Sequence, residues 1–159
     1  MNLQVDIQSA SAEPVPDEDD IRSWILAALE GRRDGDTEIS VRLVDIPEMT
    51  ALNESYRDKS GPTNVLSFPS DLPAELELPL LGDIVICAPV VAREAQEQAK
   101  TNEAHWAHMT VHGTLHLLGY DHIEEDEAQA MEALETDILT SLNYPCPYGD
   151  DTSKEHADA

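Results

Sequence analysis

The hydrophobic residues of the chain recur with two different periods, which predict strands and helices in turn. Leu3, Val5 and Ile7 alternate with polar residues, and a second alternating run covers 39–43, so each run predicts a half-buried strand. The segments 64–68 and 83–87 are short and richer in apolar residues, which predicts two more central strands with both faces covered. We therefore expect a sheet of four strands.

Helical spacing of apolar residues separates and follows these strands. The pattern predicts five helices, at residues 17–30, from Pro47 to Tyr56, from Pro89 to Lys100, at 103–118, and around the apolar positions 128–142. The fourth contains apolar residues at spacings of four, four and three and no proline, which indicates a buried helix. Gly119 is expected to end that helix in a left-handed turn.

This order of elements predicts an α+β fold, a single compact domain with a four-stranded mixed sheet and about five helices. The domain should span residues 1–144, followed by an acidic, disordered tail at 145–159. No apolar stretch approaches the length of a membrane span, and the N-terminus lacks the pattern of a signal peptide. We expect no membrane partner and a cytoplasmic location.

The formal net charge is −24, from 33 acidic and 9 basic residues. Such a balance argues against broad, sequence-independent binding of nucleic acid, which depends on clustered Lys and Arg. The acidic residues concentrate in the runs 13–20, 124–137 and 150–158, and we expect all three to be solvated surface. Any RNA substrate would have to be bound locally.

Three histidines lie within eleven residues at the end of the predicted buried helix. His112 and His116 are four residues apart, so their rings share one helix face, as two ligands of a tetrahedral ion require. The turn at Gly119 allows His122 to supply a third ligand from the following loop. Three imidazoles leave an open position for water, whose pKa falls to about 7 on zinc, and this is the chemistry of a hydrolase.

Other histidines of the chain fit this cluster less well. His105 and His108 fall on the same helix stripe, where they are expected to support the site or to lie at the surface, and His156 in the tail is expected to be inert.

The spacing of the three histidines is shared with the metzincin proteases, which have a Glu directly after the first His as general base. Here that place is Gly113, which has no side chain to move a proton. The sequence therefore disfavours a metallopeptidase but does not exclude it.

The run from His112 to His122, together with 52–57, 62–69 and 81–87 in the same order, resembles the YbeY family of bacterial endoribonucleases. The resemblance implies zinc on His112, His116 and His122, with Arg57 facing the phosphate. For an RNA enzyme with this net charge we expect a narrow basic cleft near Arg57, Lys59 and Arg42 within an acidic shell. It further implies single-strand-specific cleavage in maturation of the 3′ end of 16S ribosomal RNA, ribosome quality control, and the small ribosomal subunit as partner.

One departure concerns the strand beside the predicted site. The family usually has Asp where this chain has Asn64, so a negative charge there is lost.

Three functions are consistent with these residues. The leading interpretation is a zinc-dependent endoribonuclease in which Arg57, His112 and His116 are catalytic. A second is a ribosome-associated assembly factor whose metal is mainly structural, since no general base is obvious. The third is the metallopeptidase.

Overall fold

Four strands form one mixed sheet in the computed structural model, which describes residues 2–33, 35–70, 79–120 and 124–147. The strands are β1 (Leu3–Ser9), β2 (Thr37–Val44), β3 (Val65–Pro69) and β4 (Leu80–Cys87). Their order in the sheet is β1-β2-β4-β3, with β1, β2 and β4 parallel and β3 antiparallel to β4. The predicted four-stranded mixed sheet is confirmed.

Five helices accompany the sheet within the described residues: α1 (Glu18–Leu29), α2 (Ile46–Arg57), α3 (Ala88–Glu97), α4 (Asn102–Leu117) and α5 (Glu125–Ser141). Each corresponds to a predicted helix. The third ends earlier than Lys100, because Ala99 adopts a left-handed φ of 56° and Lys100 closes the turn by donating its N–H to Ala95. No helix in the part of the chain that the structure describes could cross a membrane.

The two faces of the sheet pack against different helices. Alternation along β4 directs Ile84 and Ile86 into the main core, where they meet apolar residues of α1, α4 and α5. Val85 and Cys87 point to the other face, into a smaller cluster with Met49 of α2. Together the layers form the predicted single compact α+β domain.

The position of β3 corrects one prediction. Its apolar composition suggested a central strand, whereas β3 lies at the edge of the sheet, next to β4 alone. Its two faces are nevertheless covered, since Val65 joins the main core and Leu66 joins the smaller cluster. The apolar run of β3 therefore indicates that both of its faces are buried, and it does not indicate the position of the strand in the sheet.

Helix α4 is the buried helix of the fold and carries the predicted histidines. It packs against α1, α3 and α5 as well as β3 and β4. Thr101 caps its first turn by accepting the N–H of Ala104. Its surroundings fix the helix on nearly every side, so the side chains that it presents have few alternative positions.

Candidate metal centre and cleft

Four histidines form a stripe along one side of α4. His105, His108, His112 and His116 follow one another at spacings of three, four and four residues, and neighbouring ring centroids are 6.0, 6.3 and 4.7 Å apart. His105 and His108 are buried, whereas His112 and His116 are half-buried and line an open cleft. The stripe therefore leads from the interior of the protein to its surface.

The two half-buried members of this stripe point nitrogen atoms at each other. The Nε2 atoms of His112 and His116 are 3.1 Å apart. Zinc–nitrogen bonds of about 2.0 Å in a tetrahedral site place two ligand nitrogens about 3.3 Å apart. The pair thus has the spacing and the donor chemistry of two zinc ligands.

Glu135 of α5 determines which nitrogen of His112 faces the cleft. The Nδ1–H of His112 donates to one carboxylate oxygen of Glu135, and the Nε2–H of His108 donates to the other at 3.1 Å. With the proton on Nδ1, the lone pair of His112 lies on Nε2, toward His116. A carboxylate behind a metal-binding histidine commonly fixes the tautomer and the ring orientation in this way.

Glu135 keeps its charge although it is completely buried. Burial alone raises the pKa of a carboxyl group, but the hydrogen bonds from His108 and His112 outweigh it and hold the pKa of Glu135 well below its usual range. Burial also lowers the pKa of His108, against the opposing effect of Glu135. A neutral His108 donating to an ionised Glu135 agrees with both directions.

A second grouping shares part of these residues. His108, His112 and Glu135 offer ligand atoms that all lie within 4.8 Å of one another, so this group could hold a metal ion. Both oxygens of Glu135 already accept hydrogen bonds from the rings, however, and the group lies in the interior. A catalytic metal must be accessible to the substrate, and His112 and His116 satisfy this requirement because they line the cleft.

The cleft in front of His112 and His116 has a volume of about 710 Å³. Within the described part of the chain its lining contains no Asp or Glu, and Arg57 supplies its one permanently charged side chain; the lining residues are Tyr56, Arg57, Thr63, Asn64, Val65, Leu66, Ser67, Phe68, His112 and His116. A surface free of carboxylates is unusual in a chain with 33 acidic residues. The cleft is suited to a negatively charged ligand.

Arg57 reaches this cleft from the last turn of α2. The loop that follows is fastened to the helix, because the buried Asn53 donates its side-chain amide to the carbonyl oxygen of Gly61 at 2.9 Å. Glu54 accepts the backbone N–H of the same glycine at 3.4 Å. These contacts define the end of α2 while the Arg57 side chain stays exposed.

The other two cations expected at the cleft lie elsewhere. Lys59 is exposed but does not line the cleft. Arg42 lies in a separate groove on the sheet, where Glu48 accepts two hydrogen bonds from its guanidinium group at 2.6 and 3.1 Å. The prediction that Arg42 belongs to the basic cleft is wrong, because Arg42 lines a different groove, where it is paired with Glu48.

Asn64 joins the cleft to a chain of polar contacts. Its amide donates to both oxygens of Glu94 at 3.1 and 3.3 Å, and Glu94 also accepts the Nε2–H of His105 at 2.8 Å. Lys100 approaches the other nitrogen of His105 at 3.5 Å. An aspartate at 64 would place its carboxylate beside that of Glu94, and the two would repel each other. The amide of Asn64 avoids this repulsion and donates to Glu94 instead.

Gly113 lies on the side of α4 that faces the sheet. A Cβ atom there would lie 3.0 Å from Ile84 Cγ2 and 3.2 Å from Ser67 Oγ. The hydroxyl of Ser67 also donates to the Gly113 carbonyl oxygen at 3.0 Å. A side chain at 113 would therefore crowd the sheet, which weighs further against the peptidase interpretation.

Substitutions at Gly113 should lower stability in proportion to their size. Gly113→Ala should cost about 1 kcal/mol, because overpacking outweighs the better helix propensity of alanine. Gly113→Glu should cost more than about 3 kcal/mol, since an unpaired carboxylate would be buried. Urea unfolding measures both, and Asn102→Glu, which adds the same group at an exposed position of α4, should change little. Wild-type stability of Gly113→Glu would contradict this packing.

Gly119 ends α4 as predicted. It follows the last helical residues with a φ of 105°, donates its N–H to His116, and Tyr120 donates to Leu115. These two bonds form a Schellman motif, which reverses the chain after the helix. His122, the predicted third ligand, lies outside the described residues, as do His156 and nearly all of the predicted tail.

The sequence interpretation missed Glu135. It belongs to the acidic run 124–137, which was expected to be solvated, yet its side chain is completely buried. Its position could have been recognised from spacing, since Met131 and Ile138 place residue 135 on the apolar face of α5. His105 and His108 are buried rather than at the surface, and His108 shares Glu135 with His112.

Comparison with known proteins points in one direction. The family model described as Endoribonuclease YbeY matches residues 5–143. The chain is 55% identical over 155 residues to Endoribonuclease YbeY of Pseudomonas syringae pv. tomato, which covers 97% of this chain and 93% of the relative. It is 55% identical over 146 residues to Endoribonuclease YbeY of Cellvibrio japonicus, with coverage of 92% and 82%.

A solved structure is similar in fold. The solution structure of a protein from Thermotoga maritima matches with a TM-score of 0.60 and 24% identity, covering 99% of this chain and 96% of the other. At this identity the likeness supports the fold alone.

Proposed function

Because the chain belongs to the YbeY family of endoribonucleases, we propose that it is a zinc-dependent hydrolase that cleaves single-stranded RNA. The observation that carries this proposal is a single cleft that contains both Arg57 and the paired imidazoles of His112 and His116. Among the described residues that line it, none is Asp or Glu. We assign its substrate as the 3′ end of 16S ribosomal RNA on the small ribosomal subunit, with a role in ribosome quality control in the cytoplasm.

In this proposal His112, His116 and His122 hold the metal. Zinc, when bound, supplies a Lewis acid that lowers the pKa of water and polarises a phosphoryl oxygen. Glu135 keeps His112 in the tautomer that presents Nε2 to the cleft. Loss of its hydrogen bond would leave the ring free to present the other nitrogen.

Arg57 has the chemistry and the position in the cleft to bind the scissile phosphate. Its planar guanidinium group can donate two parallel hydrogen bonds to phosphoryl oxygens and remains charged as the phosphate gains negative charge. The chain as a whole has a net charge of −24, so its overall field repels RNA and favours binding only where a cation lies, as Arg57 does in this cleft. Affinity for RNA should accordingly depend on few phosphate contacts.

The alternative is a ribosome-associated assembly factor with a mainly structural metal. One observation favours it: among the described residues that line the cleft, no carboxylate is available as a general base. A metallopeptidase has less support, since position 113 faces the sheet.

Arg57 separates the leading proposal from the alternative. Arg57→Ala should lower kcat/KM for a single-stranded RNA by about 100-fold or more, because electrostatic stabilisation of the transition state is lost. Zinc content and melting temperature should stay at the wild-type values, since the side chain is exposed. The measurement is cleavage of a labelled oligonucleotide by the zinc-loaded protein, with the matched duplex as second substrate.

Arg93→Ala is the matched control, because Arg93 is an exposed arginine on α3 outside the cleft, in a long ion pair of 3.9 Å with Glu97. It should cleave RNA within about twofold of wild type, as exposed pairs contribute little. Equal cleavage by Arg57→Ala and wild type would remove Arg57 from the catalytic residues, whereas no cleavage by the zinc-loaded wild type would favour the assembly factor.

A further inference from the structure

Tyr56 is an aromatic residue that the fold leaves exposed at the cleft. Its relative exposure is 68%, whereas the other exposed large hydrophobic residues of the described chain, Ile46 and Leu80, are each 38% exposed. It lines the same cleft as Arg57, His112 and His116. An exposed apolar residue alone indicates little, but this one lies beside the proposed phosphate-binding arginine.

The ring of Tyr56 is supported from one side. Phe68 of β3 packs against it edge-to-face, with ring centroids 5.4 Å apart and an angle of 72° between the planes. Such contacts orient aromatic pairs. The end of α2 is also fastened by Asn53, which bonds to Gly61. Tyr56 is thus an oriented ring that is largely exposed and lines the cleft.

We propose that Tyr56, supported by Phe68, is a stacking platform for an unpaired nucleobase of the substrate, next to the phosphate bound by Arg57. The inference rests on the proposed function and specifies its substrate, a strand with an unstacked base at the cleavage site. Every base has a face that can stack on tyrosine, so the platform selects single strands without selecting sequence. In a duplex that face is covered by neighbouring bases.

Stacking also compensates for the weak electrostatic attraction of the protein for RNA. With a net charge of −24 and one arginine at the cleft, phosphate contacts alone provide few interactions. A stacked base typically changes affinity by roughly 5- to 100-fold and depends little on salt, because it does not involve counterion release.

The test uses the full zinc-loaded protein and a single-stranded RNA that carries 2-aminopurine, whose fluorescence falls when it stacks on an aromatic ring. Stopped-flow mixing records this fluorescence before cleavage, and the cleavage assay gives KM and kcat separately. Tyr56→Leu retains apolar volume against Phe68 but removes the π face. It should abolish the quenching and raise KM roughly 5- to 100-fold, with kcat changed less than about threefold.

Two further variants make the test specific. Tyr56→Phe should restore the quenching and most of the KM that Tyr56→Leu loses, because the ring and not the hydroxyl is needed. Ile46→Ala removes an exposed apolar side chain from the other end of α2, about 15 Å away along the helix, and should behave as wild type. Melting temperatures verify that each variant folds.

Each outcome decides the inference separately from the function. Wild-type quenching and KM in Tyr56→Leu overturn the platform while leaving the ribonuclease intact, and failure of Tyr56→Phe to restore them overturns stacking in favour of the hydroxyl. A wild-type protein that quenches the probe without cleaving any RNA supports the platform and contradicts the proposed hydrolysis. Neither quenching nor cleavage by wild type overturns both.

Discussion

Replacing His116 by alanine is expected to remove the bound zinc ion and, with it, RNA cleavage and part of the stability of the protein. Metal bound only to the folded state contributes its binding free energy to folding, which amounts to about 4 kcal/mol when zinc is present at a thousand times its dissociation constant. The Nε2 atoms of His112 and His116 are only 3.1 Å apart, so loss of one leaves an incomplete donor set. Zinc per chain, measured by plasma mass spectrometry, should fall from about one to none.

A chelator provides the control for this variant. His116 is half-buried, so its removal from the metal-free protein should cost little. Urea unfolding curves of wild type and His116→Ala should therefore differ clearly in zinc and nearly coincide in chelator. One zinc per chain and an unchanged midpoint in the variant would exclude His116 from the ligand set.

Local periodicity was sufficient to predict the elements that carry the site. The spacing of four between His112 and His116 and the glycine at 119 belong to one helix and its end, so neighbouring residues determine their geometry. The strands and helices could be predicted because the spacing of their apolar residues is also a local property. These features need no knowledge of how distant segments pack.

Features that depend on how separate elements pack together could not be predicted in this way. The edge position of β3 follows from strand order, which its own apolar residues do not encode. Arg42 is neutralised by Glu48, a residue of the next element, and only the folded arrangement brings the two together. Glu135 meets His108 and His112 from another helix, 27 and 23 residues away in sequence.

Variants of Glu135 should therefore show whether this residue orients a metal ligand or binds the metal itself. Glu135→Ala would leave the N–H groups of His108 and His112 buried without their acceptor, at about 1–3 kcal/mol each, and would add a cavity. We expect it to lower the free energy of unfolding by about 3–5 kcal/mol. Urea unfolding in chelator measures this effect without any contribution from zinc.

The conservative variant tests the role in zinc binding. Glu135→Gln keeps the volume but offers one acceptor oxygen where the carboxylate offers two, so the Nδ1–H of His112 is held less firmly. Zinc affinity should fall about 10- to 100-fold while saturation still reaches one ion per chain, as expected for a residue that orients a ligand. Competition with a fluorescent zinc chelator gives the affinity.

His108→Gln completes the comparison, because glutamine can still donate to Glu135 while removing an imidazole from the buried group His108, His112 and Glu135. If zinc binds at the cleft, this variant keeps one ion per chain, whereas His116→Ala keeps none. If the buried group holds the ion, the two results are reversed. The pair of variants thus assigns the metal to the cleft, where a substrate can reach it, or to the interior, where its role would be structural and the assembly-factor interpretation would gain support.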